Sequence, residues 1–352
     1  MADYLTEFHT NRYSGFALYP RGICTMPAPF RHRACLLALC CGLSFSAIAA
    51  STTSIGQYAN QQTRQIASLF PGRMAGSPAE LMAAEYINQH LKRLGYQSDT
   101  RQQNTAYRWQ PQSGEPVLQK VTATSVIAAK NGLLPGEIVI MAHLDTRIPE
   151  NTRQQQQDIG GLRLQGVDNN AAALGVMLEL AKQLSNDRLR YGIRFVALSA
   201  TENSMQGMEN YLSRMSDNER QNTRLVINLD ELIAGKRLDF VSGVKTSATE
   251  QADSAGKALA IAHRLGIPAH ATRLSGADNR EATPFDKAGL PYLLVTADSD
   301  GHRRQATLLG DLTDKDNLEY IDQRMPGRLA KRSREVISIL LPFIRQMNTT
   351  AG

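Results

Sequence analysis

The stretch GEIVIMAHLDT, residues 136–146, decides the fold class of this 352-residue chain. Its centre, IVIM, is an apolar run with no polar interruption. A run this short and this apolar is typical of a parallel strand that helices cover on both faces. His143 and Asp145 follow the run, so two side chains capable of chemistry stand directly after a buried strand.

Working outward from this strand, predicted strands and helices alternate along the chain. Further strands are predicted at residues 124–129, 193–199, 224–229 and 291–296. Helices are predicted at residues 77–94, 171–184, 208–215, 246–265 and 326–347. Because no Gly/Ser/Pro-rich linker interrupts the alternation, we expect one three-layer α/β/α domain over residues 50–352, with a central, mostly parallel mixed sheet.

The composition excludes some classes of protein. The chain has 39 Lys and Arg against 33 Asp and Glu, a net charge of +6 without a dense basic run. We therefore expect no nucleic-acid partner. All four cysteines lie in the first 41 residues. The rest of the chain has no thiolate to act as nucleophile or metal ligand, so a metal site there would use oxygen and nitrogen atoms.

Residues 26–49 have the order of a secretory signal peptide: a basic start, an apolar run, then Ala47-Ile48-Ala49. This order predicts that residues 1–49 are an N-terminal extension with a cleaved signal, that Met26 is the true start, and that the protein is periplasmic or secreted. The alternative is an uncleaved membrane anchor. The apolar run is too short for a stable membrane span.

Carboxylates or an imidazole follow several of the predicted strands or open the next helix. They are His143, Asp145, Asp168, Glu202 and Asp230. Hard and borderline donors collected at one sheet edge are the ligands of a zinc-type cation. In the His-x-Asp pair, a strand places both side chains on one face, so Asp145 can orient the His143 ring. Taken singly, each carboxylate has an ordinary alternative: Asp168 as a helix N-cap, Glu202 as a surface charge, Asp230 as a solvated strand end.

Eight stretches occur together in one order: PGRMAGSPAE (71–80), MAHLDT (141–146), LQGVDNNAAALGVMLELA (164–181), YGIRFVALS (191–199), RLVINLDELIAG (224–235), VSGVKT (241–246), FDKAGLP (285–291) and YIDQRMPGR (320–328). In this combination the chain resembles the co-catalytic zinc aminopeptidases of clan MH. The resemblance covers nearly all of residues 50–352. It implies a zinc-exopeptidase-like domain that hydrolyses the N-terminal bond of a peptide or protein. The resemblance further implies an exported alkaline phosphatase with an N-terminal arginine as one such substrate.

The resemblance also implies roles for the candidate residues. His143 and Asp230 would bind one zinc, Asp168 would bridge two zincs, and Glu202 would bind the second. Asp145 would act beside His143 in catalysis. A carboxypeptidase on a related scaffold would need a lid domain, for which the spacing of the motifs leaves no room.

The sequence departs from the family pattern at two site positions. Thr201 stands where the family has a glutamate as general base, and loss of such a base costs about 10²–10⁴-fold in rate. The position of the last histidine ligand falls on residues 309–311, which contain no histidine; His302 could substitute, or it could be a solvated loop residue. The alternative function is therefore an impaired, aminopeptidase-like protein that binds peptide termini without turnover.

Overall fold

The computed structural model describes residues 54–157, 163–274, 282–298 and 315–348. The predicted signal peptide, the start at Met26 and the boundary at residues 49–50 lie outside these ranges, as does His302. Those interpretations stay predictions. Among the helices in the described ranges, none is long and apolar enough to cross a membrane.

Within the described ranges, eight strands form a single mixed sheet in the order β1-β2-β4-β3-β5-β8-β6-β7. The strands are β1 Gln97–Trp109, β2 Val117–Lys130, β3 Leu134–His143, β4 Tyr191–Leu198, β5 Thr223–Leu229, β6 Arg237–Ser242, β7 Ala269–Arg273 and β8 Tyr292–Asp298. The central strands β4, β3, β5 and β8 are parallel to one another. β1 and β2 form an antiparallel hairpin at one edge, and β6 runs antiparallel to β8 near the other.

Helices cover both faces of this sheet. They are α1 Gln57–Leu69, α2 Pro78–Arg93, α3 Thr152–Gln157, α4 Ala172–Leu184, α5 Gln206–Ser213, α6 Asp217–Asn222, α7 Ala248–Gln251, α8 Lys257–Arg264, α9 Ala282–Lys287, α10 Leu318–Arg324 and α11 Arg328–Asn348. Residues from α1, α2, α4, α8 and α11 join the hydrophobic core on one face. Residues from α5 and α9 join the core on the other face. The three-layer α/β/α prediction is confirmed.

Strand β3 shows why the sheet is buried on both faces. Ile138 and Ile140 belong to the core under α4, whereas Val139 and Met141 belong to the core under α5. All four side chains are almost completely buried. Burying one such side chain stabilises the fold by about 1.5–3 kcal/mol, so β3 anchors both layers and fixes where its carboxyl end lies.

Helix α2 begins as the sequence predicts, with one difference. The Ser77 side chain accepts the backbone N–H of Glu80 at 3.1 Å, and Pro78 is the first helical residue. The order Ser77-x-x-Glu80 has the pattern of a capping box, in which the glutamate would accept the N–H of the N-cap residue, but the Glu80 carboxylate does not accept from Ser77. It reaches into the sheet, where it accepts the N–H of Gly76 at 3.1 Å and of Thr124 at 3.2 Å, and the hydroxyl of Ser199. Glu80 therefore ties α2 to β2 and to the end of β4.

The edge strands were not predicted. The sequence of β1, QSDTRQQNTAYRW, has few apolar residues and no alternation, because most of its side chains are exposed or half-buried at the sheet edge. It pairs with β2 along its whole length, whereas β2 pairs with β4 only through residues 126–130. Backbone pairing rather than side-chain burial holds this hairpin, and a hydropathy pattern does not report backbone pairing.

Candidate metal centre

The carboxyl ends of β3, β4 and β5 bring three of the predicted ligands to one place. β3 lies between β4 and β5, with His143 opposite Leu198 of β4 and Ala142 opposite Leu229 of β5. Glu202 and Asp230 follow the ends of β4 and β5, so their side chains meet His143 at the same edge. This is the edge of a parallel sheet at which ligands bind.

The contact between His143 and Asp230 fits a shared cation. The His143 Nε2 atom lies 3.3 Å from Asp230 Oδ1. Both atoms are buried, and neither has a hydrogen-bond partner in the part of the chain that the structure describes. Two ligand atoms of a tetrahedral zinc, each about 2.0–2.1 Å from the metal, lie about 3.3 Å apart. The nitrogen and oxygen are therefore spaced as ligands of one zinc ion would be.

Glu202 completes this group at a longer distance, with its Oε1 atom 3.9 Å from His143 Nε2. Among the described residues, no three His, Cys, Asp or Glu side chains lie close enough to enclose a metal ion as they stand. The donor set thus fits one cation on the His143–Asp230 pair, with Glu202 as the next carboxylate. The predicted pair of zinc ions is not shown by this geometry.

The orientation of the His143 ring comes from the main chain. The His143 Nδ1 atom lies 2.8 Å from the backbone oxygen of Asp145 and 3.7 Å from its carboxylate. A proton on Nδ1 satisfies that carbonyl, so Nε2 is the ring nitrogen available to a metal ion held beside Asp230. The Asp145 carboxylate instead accepts the N–H groups of Thr201 at 3.2 Å and Glu202 at 3.0 Å. Asp145 therefore positions the turn that carries Glu202.

Burial and neighbouring charges shift the pKa values of His143 and Glu202. Burial alone would lower the pKa of His143, yet the carboxylates of Asp145 and Asp230 together raise that pKa well above its ordinary value. Burial raises the pKa of Glu202, and the positive charge of His143 opposes the shift. An imidazole held between carboxylates attracts a cation in the same way that it attracts a proton.

Asp168 lies near the pair but is engaged by the main chain. Its Oδ1 accepts the N–H of Ile233 at 2.6 Å and its Oδ2 accepts the N–H of Ala234 at 3.2 Å. Burial and the charges of Asp316 and Asp230 raise the pKa of Asp168, whereas these two hydrogen bonds lower it. The carboxylate thus fastens the loop that follows Asp230. It does not cap α4, whose N-cap residue is Ala171 and lacks a side-chain cap.

The neighbouring residues in this turn were not predicted as site residues. Asn169 Nδ2 donates to Glu202 Oε1 at 3.1 Å, and Asn170 Nδ2 donates to the backbone oxygen of Leu229 at 3.0 Å. The sequence signal for Asn169 is its position directly after Asp168 in the VDNNA turn.

Thr201, predicted at the general-base position, is fully buried beside Glu202. Its backbone N–H donates to Asp145. Its hydroxyl oxygen has no hydrogen-bond partner within the described ranges. A hydroxyl at this place does not take up a proton near neutral pH as a carboxylate does.

Two buried charged residues that were not predicted as site residues hold the main chain around the site. Asp316 accepts the N–H groups of Asp168 at 2.6 Å and Asn169 at 3.1 Å. Arg73 donates to the backbone oxygens of Leu144 at 3.1 Å and of Gln165 at 2.9 Å. Burial lowers the pKa of Arg73 to about 10, against the charges of Asp316 and Asp145. Arg73 falls in the PGRMAGSPAE stretch, whereas no sequence signal points to Asp316.

Comparison with known proteins gives concordant matches in sequence and in structure. The family model described as Peptidase family M28 matches residues 125–337. The alkaline phosphatase isozyme conversion protein of Escherichia coli (strain K12) is 42% identical over 344 residues, which cover 92% of this chain and 99% of that protein.

Solved structures share the fold at low sequence identity. BSAP, a zinc aminopeptidase from Bacillus subtilis, superposes with a TM-score of 0.66 at 14% identity, over 85% of this chain and 96% of that one. The glutaminyl cyclase of Porphyromonas gingivalis superposes with a TM-score of 0.58 at 18% identity, over 83% of this chain and 98% of that one.

Proposed function

The chain belongs to peptidase family M28, and from that premise we propose that it is an exported zinc aminopeptidase that hydrolyses the N-terminal peptide bond of peptides or proteins. By family it is a metallo-aminopeptidase, a hydrolase. The observation that carries the proposal is the buried contact between His143 Nε2 and Asp230 Oδ1 at 3.3 Å, two donor atoms without hydrogen-bond partners in the described chain.

In this proposal His143 and Asp230 would hold the zinc, with Glu202 as the next carboxylate, and the ion would supply Lewis acidity and lower the pKa of a bound water. The Asp145 backbone oxygen keeps the His143 ring in the tautomer that presents Nε2. The Asp145 carboxylate holds the Thr201–Glu202 turn through two N–H groups, so Glu202 approaches from a fixed direction. The protonated amine of a substrate's N-terminus would be attracted to the carboxylates that remain at this edge, which restricts cleavage to the first bond.

Export and the choice of substrate are the finer parts of the proposal. The signal-like order of residues 26–49 supports export to the periplasm or beyond. The name of the Escherichia coli relative supports alkaline phosphatase as a substrate. Removal of an N-terminal arginine is the reaction that the family resemblance implies. Glu231, next to Asp230 and partly exposed, would offer a negative charge to a basic side chain.

Hydrolysis of aminoacyl anilides by the purified, zinc-loaded protein tests the proposal. We expect turnover of arginyl or leucyl anilide that a chelator abolishes and added zinc restores, because the reaction would depend on the ion that His143 and Asp230 hold. The variant His143→Ala should lose this turnover, and an N-acetylated anilide should not be cleaved by the wild type. Zinc-loaded protein that cleaves neither anilide, or turnover that survives both the chelator and His143→Ala, would contradict it.

Thr201 favours a second candidate function, in which the protein binds peptide N-termini without cleaving them. A neutral hydroxyl stands where a proton acceptor is expected, so the chemical step would be slow even with zinc in place. Binding of an arginyl peptide to zinc-loaded protein, with the peptide recovered intact, would support this candidate. Recovery of free arginine would support the proposal that the protein is an aminopeptidase.

A further inference from the structure

The turn Val167–Ala171 commits two of its three polar side chains to the main chain. Asp168 accepts the N–H groups of Ile233 and Ala234, and Asn170 donates to the carbonyl of Leu229. These contacts tie the turn to the end of β5 and to the loop after it. Neither side chain is free to turn toward His143 without breaking a buried hydrogen bond.

Asn169 is the third polar side chain, and it faces the other way. Its backbone is kinked out of helical geometry, with φ −113° and ψ 79°. Its Nδ2 lies 3.1 Å from Glu202 Oε1. Because an ionised carboxylate only accepts hydrogen bonds, the amide must present its nitrogen to Glu202. The amide oxygen, Oδ1, is then left buried with no hydrogen-bond partner in the described part of the chain.

We propose that Asn169, and not Asp168, is the residue of this turn that faces the metal, and that the centre in consequence holds one divalent cation instead of two. The inference rests on the proposed metal-dependent function and assigns the stoichiometry of the same site. It replaces the bridging role that family resemblance implies for Asp168.

The chemistry of an amide explains the limit of one cation. A ligand that bridges two cations uses two anionic oxygens, as a carboxylate does, whereas an amide has one neutral oxygen and a nitrogen without a free lone pair. The carboxylates of Glu202 and Asp230 balance the charge of one dication. A second dication a few ångströms away would add strong repulsion with no bridging anion to offset it.

Zinc stoichiometry, counted without substrate, tests this inference. The full-length protein is stripped of metal, titrated with zinc by calorimetry, dialysed, and its zinc content measured by mass spectrometry. We expect one zinc per chain in the wild type and two in Asn169→Asp. The variant Asn170→Asp adds the same charge one residue away, and Asp168→Asn removes the predicted bridge; both should keep one zinc. Circular dichroism checks the fold of each variant.

Two zincs in the wild type, or one zinc in Asn169→Asp, would overturn the inference while leaving a zinc peptidase intact. Loss of zinc from folded Asp168→Asn would also overturn it, because Asp168 would then be a ligand. If Asn170→Asp does not fold, the zinc contents of Asn169→Asp and Asp168→Asn still show which of the two residues sets the number of zinc ions. A wild type that binds no zinc contradicts the proposed function itself, whereas one zinc without anilide turnover contradicts the proposed function and leaves this inference standing.

Discussion

The backbone oxygen of Asp145, and not its carboxylate, is the atom that orients His143: it lies 2.8 Å from Nδ1, against 3.7 Å for the carboxylate. The sequence alone predicts a side-chain contact for this His-x-Asp pair. In the structure the Asp145 carboxylate instead accepts the N–H groups of Thr201 and Glu202, in the turn after β4. One residue thus links the imidazole ligand to the turn that carries Glu202.

The first prediction concerns Asp145→Asn. An asparagine keeps one acceptor oxygen but loses the charge, so the Thr201–Glu202 turn should loosen while the backbone carbonyl still orients His143. We expect zinc affinity to fall by about 10–100-fold, as for other residues that support metal ligands. Calorimetry measures the affinity, and nitrogen NMR shifts of His143 report its tautomer. A changed tautomer would show that the side chain orients the ring after all.

The second prediction concerns the missing proton acceptor. Thr201→Glu places a carboxylate beside Glu202, and hydrolysis of arginyl anilide by zinc-loaded protein should rise by about 10²-fold or more. Thr201→Gln is the matched control, since it has the same size without the charge. If both variants change the rate equally, or neither raises it, Thr201 does not occupy the position of the general base.

The third prediction concerns stability and Asp168. Asp168→Asn leaves one of the two N–H groups of Ile233 and Ala234 without its acceptor in a buried turn. The free energy of unfolding should fall by about 1–3 kcal/mol, the cost of one buried, unsatisfied polar group. Urea unfolding of metal-free protein measures this loss. Unchanged stability would mean that the loop does not depend on this carboxylate.

The fourth prediction concerns pH. Burial raises the pKa of Glu80 from 4.5 to about 7, although its three hydrogen bonds oppose the shift. The folded protein therefore binds a proton that the unfolded chain releases between these pH values, and stability should fall as pH rises through this window. One such group contributes up to about 1.4 kcal/mol per pH unit. Above pH 7 its contribution should be constant.

Unfolding of metal-free wild type and Glu80→Gln between pH 4.5 and 8 checks this slope. The difference between the two curves isolates Glu80 from other titrating groups. Glu85→Gln, on the exposed face of the same helix, is the matched control and should retain the wild-type slope. Parallel curves for wild type and Glu80→Gln would contradict the raised pKa.

The central parallel strands, and the gathering of His143, Glu202 and Asp230 at one edge, could be predicted from the sequence, because both follow from local pattern. A short apolar run predicts a buried strand, and the residues after parallel strands share one edge. Membership of β3 residues in two separate cores bears this out. The edge strand β1 could not be predicted, since its pairing leaves no alternation in its side chains.

The direction of each side chain in the Val167–Ala171 turn could not be predicted either. The N-cap interpretation of Asp168 assumes a regular start to the helix, and the ligand role is implied by the resemblance alone. The turn is shaped instead by partners far along the chain: Leu229 at 59 positions, Ile233 at 65 and Asp316 at 148. Such distant contacts decide which of three consecutive polar residues faces Glu202, and no short motif carries that information.

Binding of one zinc ion by His143 and Asp230 together underlies both the proposed function and the zinc stoichiometry. A crystal of the zinc-loaded protein, with diffraction data collected on both sides of the zinc absorption edge, tests it most directly. We expect an anomalous peak about 2.0–2.2 Å from both His143 Nε2 and an Asp230 carboxylate oxygen. A zinc peak elsewhere in the protein, with these two atoms bound to no metal, would contradict it.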